Sequence, residues 1–255
     1  MPTPHSDDGA SVVGSRLKGS VALVTGAGTG MGEACALALA ADGAAVALVG
    51  RTAAPLERVA GLVRAKGSDA LVAPADVAVA ADVRGVIDAV VARFGRIDVL
   101  VNSAGTNTAR RSFDDTADGD WDAVIATNLT GLFRVSQAVL PIMRRRGGGT
   151  IVNISSLAGK GAVPIAGVAY SASKMGVAAL TQMINLEQWR HGIRATTIYP
   201  GETLTPLLSR RPVPVPPERH ALILQPEDIG STVLFVVTQP PRVLIEEIVV
   251  RPTAR

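Results

Sequence analysis

From Ser20 onward, short apolar runs rich in Val, Ile and Ala alternate with longer stretches of helical periodicity, and this alternation leaves few folds open. The candidate strands are 21–25, 45–49, 71–75, 97–102, 150–155, 193–198 and 245–250. The helical stretches are about 31–42, 54–66, 80–94, 118–146, 169–191 and 226–238. Strands separated by helices pair in parallel, since each crossover returns the chain to start the next strand in the same direction. The pattern predicts an α/β fold: a doubly wound, parallel, seven-stranded sheet with helices on both faces, joined by right-handed crossovers. At 255 residues the chain suits one such domain and is short for two. Composition agrees. The chain is 47% hydrophobic but only 3% aromatic, and small branched residues suit strands buried on both faces under closely packed helices. No repeat at a fixed period or internal linker marks a second domain.

Several partner classes are disfavoured. The net charge of +3 is small and both signs are interspersed, so nucleic acid is not expected. The one dense basic run, Arg144-Arg145-Arg146, precedes Gly147-Gly148-Gly149, where cations meet the carbonyl end of a helix. Cys35 is the only cysteine and lies among alanines, so it reads as a small core residue, with no disulfide framework and no metal cluster. Asp42-Gly43 interrupts the longest apolar run, short of the ~18 residues that span a bilayer, and no membrane is expected. Residues 1–17 read as a flexible tail, polar and proline-containing rather than a signal peptide. The expected setting is cytoplasmic.

The first strand runs into Thr25-Gly26-Ala27-Gly28-Thr29-Gly30-Met31-Gly32 and then a helix. Glycines there permit a tight turn, close approach of backbone to a pyrophosphate and close packing of helix on strand, while the helix N-terminus offers N–H groups to phosphate. The second strand ends Gly50-Arg51-Thr52 without the carboxylate that would accept from a ribose 2′-hydroxyl. Arg51 and Thr52 suit a 2′-phosphate, which favours NADP(H) over NAD(H), although a strand-end arginine is also ordinary surface chemistry. Asp76-Val77 follows the third strand, where the carboxylate either meets an adenine amino group or caps the next helix. Asn102-Ser103-Ala104-Gly105 ends the fourth, letting the chain pass under a cofactor or simply turn. Asn128 sits inside a long helix, where Asn is unfavourable. It either satisfies a backbone group locally or holds a polar group or water beside a site.

Tyr170 and Lys174 are one helical turn apart on one face. A phenol titrates near pH ~10 and exchanges protons near neutrality only where a cation stabilises its anion. Ser156 closes a strand-like run and aims a hydroxyl at the same region; Ser155 alternates to the other face.

These pieces together resemble the short-chain dehydrogenase/reductase family, in its single-domain branch of about 250 residues. The resemblance rests on Thr25-Gly-x-x-x-Gly30-x-Gly32, Asp76, Asn102-x-Ala-Gly105, Asn128, Ser156, Tyr170-x-x-x-Lys174 and Pro200-Gly201-x-x-x-Thr205, in family order over about residues 18–251. It implies a Rossmann-type domain over 18–255 and a hydride exchanged between nicotinamide and a secondary alcohol or carbonyl. Tyr170 would be the general acid/base and Lys174 its pKa-lowering partner and a ribose ligand. Ser156 would bond the substrate oxygen, Asn128 hold a relay water, and Thr205 meet the carboxamide. Cofactor contacts are implied for Gly26, Gly28, Thr29, Gly30, Met31, Gly32, Arg51, Thr52, Asp76, Val77, Asn102, Ala104, Gly105, Tyr170, Lys174, Pro200, Gly201, Thr203 and Thr205. Ser103 replaces the usual second Asn. The tail from Ile248 lacks the usual Asp-Gly-Gly turn; with Gln225-Pro-Glu-Asp and Gln239-Pro-Pro-Arg it is more loosely similar to NADP-dependent hydroxy-acid and serine dehydrogenases.

The expected partner is a small carbonyl or alcohol, and the expected assembly a homodimer or homotetramer through the helices 118–146 and 169–191. The rival readings are a nucleotide-sugar epimerase or dehydratase, disfavoured by chain length, and a non-catalytic scaffold, disfavoured by the intact Ser156, Tyr170 and Lys174. The proline-rich insert 203–225 reads as a substrate lid or as a surface loop. Arg210-Arg211 within it would greet a carboxylate or phosphate, or simply be solvated. Lys160, Val163 and Pro164 are expected along the substrate pocket.

Overall fold

Strands β1 (Val21–Thr25), β2 (Ala45–Gly50), β3 (Ala70–Pro74), β4 (Val99–Asn102), β5 (Gly149–Ile154), β6 (Ile193–Pro200) and β7 (Glu247–Val250) form one sheet in the computed structural model, which describes residues 15–253. The order is β3-β2-β1-β4-β5-β6-β7 and every pairing is parallel. Successive side chains alternate faces. Ala22 and Val24 of β1 enter one core with α1 (Gly30–Ala41), α2 (Ala53–Ala65) and α7 (Pro226–Val237). Val21 and Leu23 enter the other, against α3 (Ala80–Phe94), α5 (Leu132–Arg146) and α6 (Val168–Gln188). Both faces are therefore dry, as the continuous apolar strands require.

Small residues set the spacing. A side chain at Gly230 of α7 would come within 2.7 Å of the Ala34 carbonyl of α1, so these helices touch backbone to backbone. Cys35 is fully buried in the same core, and burial pushes its thiol up to about 12. The basic run ends α5, with Gly147 left-handed at the C-cap and Arg144 donating to Gln188 at 2.8 Å.

Some boundaries move. Strand β4 starts at Val99 rather than 97: the Asp98 backbone still bonds to Val21 and Thr150 (both 2.9 Å), but its carboxylate, held by the Arg96 guanidinium, takes the Val21 N–H (2.9 Å) that a further ladder bond would use. The helix expected over 118–146 is α4 (Asp118–Ile125) and α5 joined through a π-helical turn, Ala126–Gly131, that contains Asn128. By length and mean hydropathy this stretch would reach across a bilayer, but Val124, Leu132, Val135, Val139, Ile142 and Met143 are buried within the protein. Of the tail expected over 1–17, residues 1–14 lie outside the described residues. Leu17 is buried in the core and its N–H donates to Asp42 at 2.9 Å, so the docked chain begins before residue 18.

Candidate active site

Sheet order reverses between β1 and β4, and the crevice beyond the C-terminal ends of these strands is where doubly wound sheets bind ligands. The Gly-rich turn occupies it. A Cβ at Gly32 would sit 2.2 Å from the Gly26 carbonyl, and one at Gly26 (φ +66°) would sit 2.9 Å from Ala104. Only hydrogen fits at these two positions, which brings the start of α1 down onto the turn. Thr25 Oγ1 accepts from the N–H groups of Ser103 and Ala104, both at 3.1 Å, and so locks the β4 loop beside the turn. The N-cap residue Thr29 makes no side-chain cap, and Thr29, Gly30, Met31 and Gly32 line the crevice. The uncapped first-turn N–H groups and the glycine-cleared floor fit the pyrophosphate of a dinucleotide.

Further along the same crevice lie Gly28, Arg51, Thr52, Asp76 and Val77. Arg51 is exposed at the rim. Arg58 pairs with both carboxylate oxygens of Glu33 (2.7 and 2.6 Å) and donates to the Gly28 carbonyl at 3.2 Å, tying α2 to the turn. Asp76 accepts from the Ala78 N–H at 2.9 Å in a local turn; the N-cap of α3 is Val79, so helix capping is not its task.

Two of the singled-out asparagines bond within the protein. Asn102 is buried, and its amide donates to Ser136 (3.1 Å) and to Asn153 of the adjacent strand β5 (2.9 Å). Its side chain faces the interior, whereas Ala104 and Gly105 line the crevice. Asn128 spends its side-chain donors on protein partners. Its Oδ1 accepts from the Thr106 N–H at 2.7 Å, while its two amide N–H groups serve the Thr106 carbonyl (3.0 Å) and Ser173 Oγ (3.1 Å). Ser173 in turn donates to the Tyr170 carbonyl at 2.7 Å. The asparagine therefore braces the loop after β4 against the helix that carries Tyr170, and the π turn is the local distortion that aims it there.

Lys174 is buried, and its Nζ donates to the Ile154 carbonyl at 2.8 Å. A side chain at Gly105 would contact both Asn128 Oδ1 (3.6 Å) and this ammonium (3.8 Å), so the glycine keeps the path to it open. Desolvation lowers the Lys174 pKa to about 8. The ammonium lies 5.6 Å from the centre of the Tyr170 ring. The Tyr170 phenol is pushed upward by burial; a hydrogen bond from Ser156 and the cations of Arg111 and Arg211 pull it back down. Ser155 points the other way, donating to the Lys174 carbonyl at 2.8 Å.

A second cavity, of about 540 Å³, opens on the far side of the phenol. Ser156, Val163, Pro200, Gly201 and Thr203 line it, and Met31, Ser155, Tyr170, Thr205 and Leu207 line both cavities. Thr205 stands over Gly30, where an added Cβ would come within 3.2 Å of its side chain. The segment 203–225 covers this cavity with two short 3-10 turns, Pro206–Arg210 and Pro217–Arg219. Lys160 and Pro164 do not line it; Lys160 pairs instead with Glu247 of β7 and stacks 4.6 Å from the Tyr199 ring. Arg210 also turns away, donating to Thr106 Oγ1 at 2.6 Å, whereas Arg211 lines the wall beside Glu202. Sequence reasoning missed Arg111. It enters this wall where Gly167 (φ +85°), just before α6, has no side chain: a Cβ added there would fall 2.5 Å from Arg111 Cβ, and only the pairing of basic residues at 110–111 hinted at it.

A family model described as short chain dehydrogenase matches residues 20–213. An uncharacterized oxidoreductase of Staphylococcus epidermidis is 34% identical over 238 residues, covering 93% of this chain and 99% of its own. A metagenomic short-chain oxidoreductase, solved in complex with NADP, is 34% identical, with a TM-score of 0.82 over 94% of this chain and 100% of its own. An alcohol dehydrogenase from the archaeon Thermococcus sibiricus, complexed with 5-hydroxy-NADP, is 30% identical, with a TM-score of 0.83 over 92% of this chain and 97% of its own.

Proposed function

The chain belongs to the short-chain dehydrogenase/reductase family, whose members are NAD(P)-dependent oxidoreductases, and we propose that it interconverts an alcohol and a carbonyl with NADP(H) preferred. The observation that carries this reading is the meeting of two cavities at one phenol: Tyr170 belongs to the wall of the dinucleotide crevice and to the wall of the second cavity. A nicotinamide cofactor held in the crevice by the Gly26–Gly32 turn would supply or accept the hydride. Tyr170 gives the proton to the nascent alkoxide or takes it from the alcohol, and Ser156 donates a hydrogen bond to the same oxygen. Lys174 keeps a positive charge beside the phenol, and with no side chain at Gly105 its ammonium would hold the cofactor's ribose. Asn128 acts through its brace to Thr106 and Ser173, as a positioning residue. Asp76 and Val77 flank the adenine end, Pro200 and Gly201 the nicotinamide end, and Thr203 and Thr205 anchor the insert 203–225 as a lid.

NADP(H) is preferred because Arg51 and Thr52 stand where a 2′-phosphate would lie and no carboxylate follows β2 to accept from a free ribose hydroxyl. The NADP named for the metagenomic relative and the NADP derivative named for the Thermococcus enzyme support this, with NAD(H) as the second cofactor. The protein acts in the cytoplasm as a homodimer or homotetramer.

The test is a panel of ketones, aldehydes and hydroxy acids assayed with both cofactor pairs. NADPH is expected to give the higher kcat/KM, and Arg51→Ala to weaken NADPH about tenfold more than NADH, the loss of one charge-assisted phosphate contact. Preference for NADH, or equal weakening of both cofactors, contradicts the assignment of Arg51.

A further inference from the structure

The wall of the second cavity carries more positive charge than the fold needs. Arg111, Arg211 and Arg219 all line it, and Glu202 is the one carboxylate among its lining residues. Glu202 is shared between two of them: one oxygen pairs with Arg211 and the other lies 3.3 Å from Arg219. Among the described residues, that leaves Arg111 with no anion. Its guanidinium donates to the Thr108 (2.7 Å), Ile165 (2.5 Å) and Arg210 (2.9 Å) carbonyls, all neutral acceptors.

Five N–H donors serve a guanidinium, so two on Arg111 remain for another partner, one on each terminal nitrogen. Arg111 is half-buried, and the side chain of Arg211 is only 19% exposed. Two guanidinium groups this close disfavour each other's charge: burial and the neighbouring Arg211 both lower the pKa of Arg111. Like charges held together out of water are costly unless an anion compensates them. The three backbone bonds also fix the orientation of Arg111, so a planar acceptor would meet a fork already in place.

Resting on the oxidoreductase reading above, we propose that the substrate carries a carboxylate, bound between Arg111 and Arg211 on the side of the cavity facing Tyr170, with Arg219 at its mouth. The substrate class is thus an oxo acid, or the hydroxy acid it becomes. Glu202 holds Arg211 in place and keeps the wall from accepting a more highly charged anion as readily. The lining also includes Leu157, Val163, Leu207, Leu208 and Val213, which would take an apolar chain between the reacting carbon and the acid.

Acetoacetate, levulinate and benzoylformate, each beside its methyl ester, test this with NADPH as reductant. The ester keeps the reacting ketone and removes the charge. For at least one pair the wild-type protein is expected to favour the acid by tenfold or more in kcat/KM, chiefly through KM. Arg211→Gln is expected to bring that ratio close to one, and Arg211→Lys to retain part of it. The ratio is the readout, because damage to folding or to cofactor binding lowers both members of a pair and does not move it. Arg111→Gln should act in the same sense; Arg211→Gln decides the matter if loss of the three carbonyl bonds unfolds the Arg111 variant. Esters reduced as well as the acids, or a ratio unmoved by Arg211→Gln, overturn the carboxylate site while leaving NADPH-dependent reduction standing. Reduction of none of the six compounds by protein that binds NADPH overturns the underlying reading too.

Discussion

Lys174 shows how the site costs the fold stability. Its ammonium is 5% exposed and bonded to a neutral carbonyl, and burial lowers its pKa from 10.5 to about 8. Because the folded-state value is the lower one, the folded protein sheds this proton first as pH rises. The penalty is full below about pH 8 and fades as pH climbs toward 10.5. A depression of this size corresponds to roughly 3 kcal/mol at neutral pH. Lys174→Met keeps the buried stem and removes the charge, at the expense of the bond to Ile154. It is expected to stabilise the cofactor-free fold by roughly 1–3 kcal/mol at pH 7, with a smaller difference at pH 10, while activity is lost. Thermal melts at the two pH values check this; a lower melting temperature, or a difference that does not shrink with pH, contradicts it. The pairing of Tyr170 with Lys174 was legible in the sequence because it is local, one helical turn. Arg111 was not, since its place depends on a left-handed glycine 56 residues away and on three carbonyls from three different segments. Asn102 and Asn128 were noticed for a sound reason, but their partners, Asn153 and Thr106, are set by the tertiary fold.

Among the elements, the strands were the most readable. Seven apolar runs flanked by helices admit few arrangements, and β1 begins and ends where its run does. Ends were less readable where a side chain replaces a ladder bond, as at Asp98 before β4. The π turn Ala126–Gly131 left only an indirect trace, an asparagine in an unfavourable position, because its extra residue does not disturb the apolar spacing on either side. The proline-rich insert was visible as irregular, yet its attachment was not. Arg111 donates to the Arg210 carbonyl and Arg210 to Thr106, two arginines that cross between the insert and the loop after β4. Such a closure joins residues about a hundred positions apart, beyond the reach of any local pattern.

At the scale of the whole molecule, the buried faces are accounted for, and several of the exposed apolar side chains fall on three helices. Met175, Met183, Leu186 and Trp189 stand exposed along α6 and the turn that follows it, with Trp121 on α4 and Phe133 on α5. The proposed assembly would bury these apolar side chains. Sedimentation at micromolar concentration is expected to give a dimer or tetramer, and Leu186→Glu with Trp189→Glu a smaller species; a monomeric wild-type protein contradicts the assembly. The chemistry itself turns on the junction of the two cavities at Tyr170. Tyr170→Phe removes one hydroxyl and leaves the crevice intact, so NADPH should bind with a Kd close to that of the wild-type protein. Carbonyl reduction should fall by ~10²–10⁴-fold, the usual contribution of a positioned acid or base. Unchanged turnover in protein that binds NADPH would contradict the assignment of the proton to Tyr170.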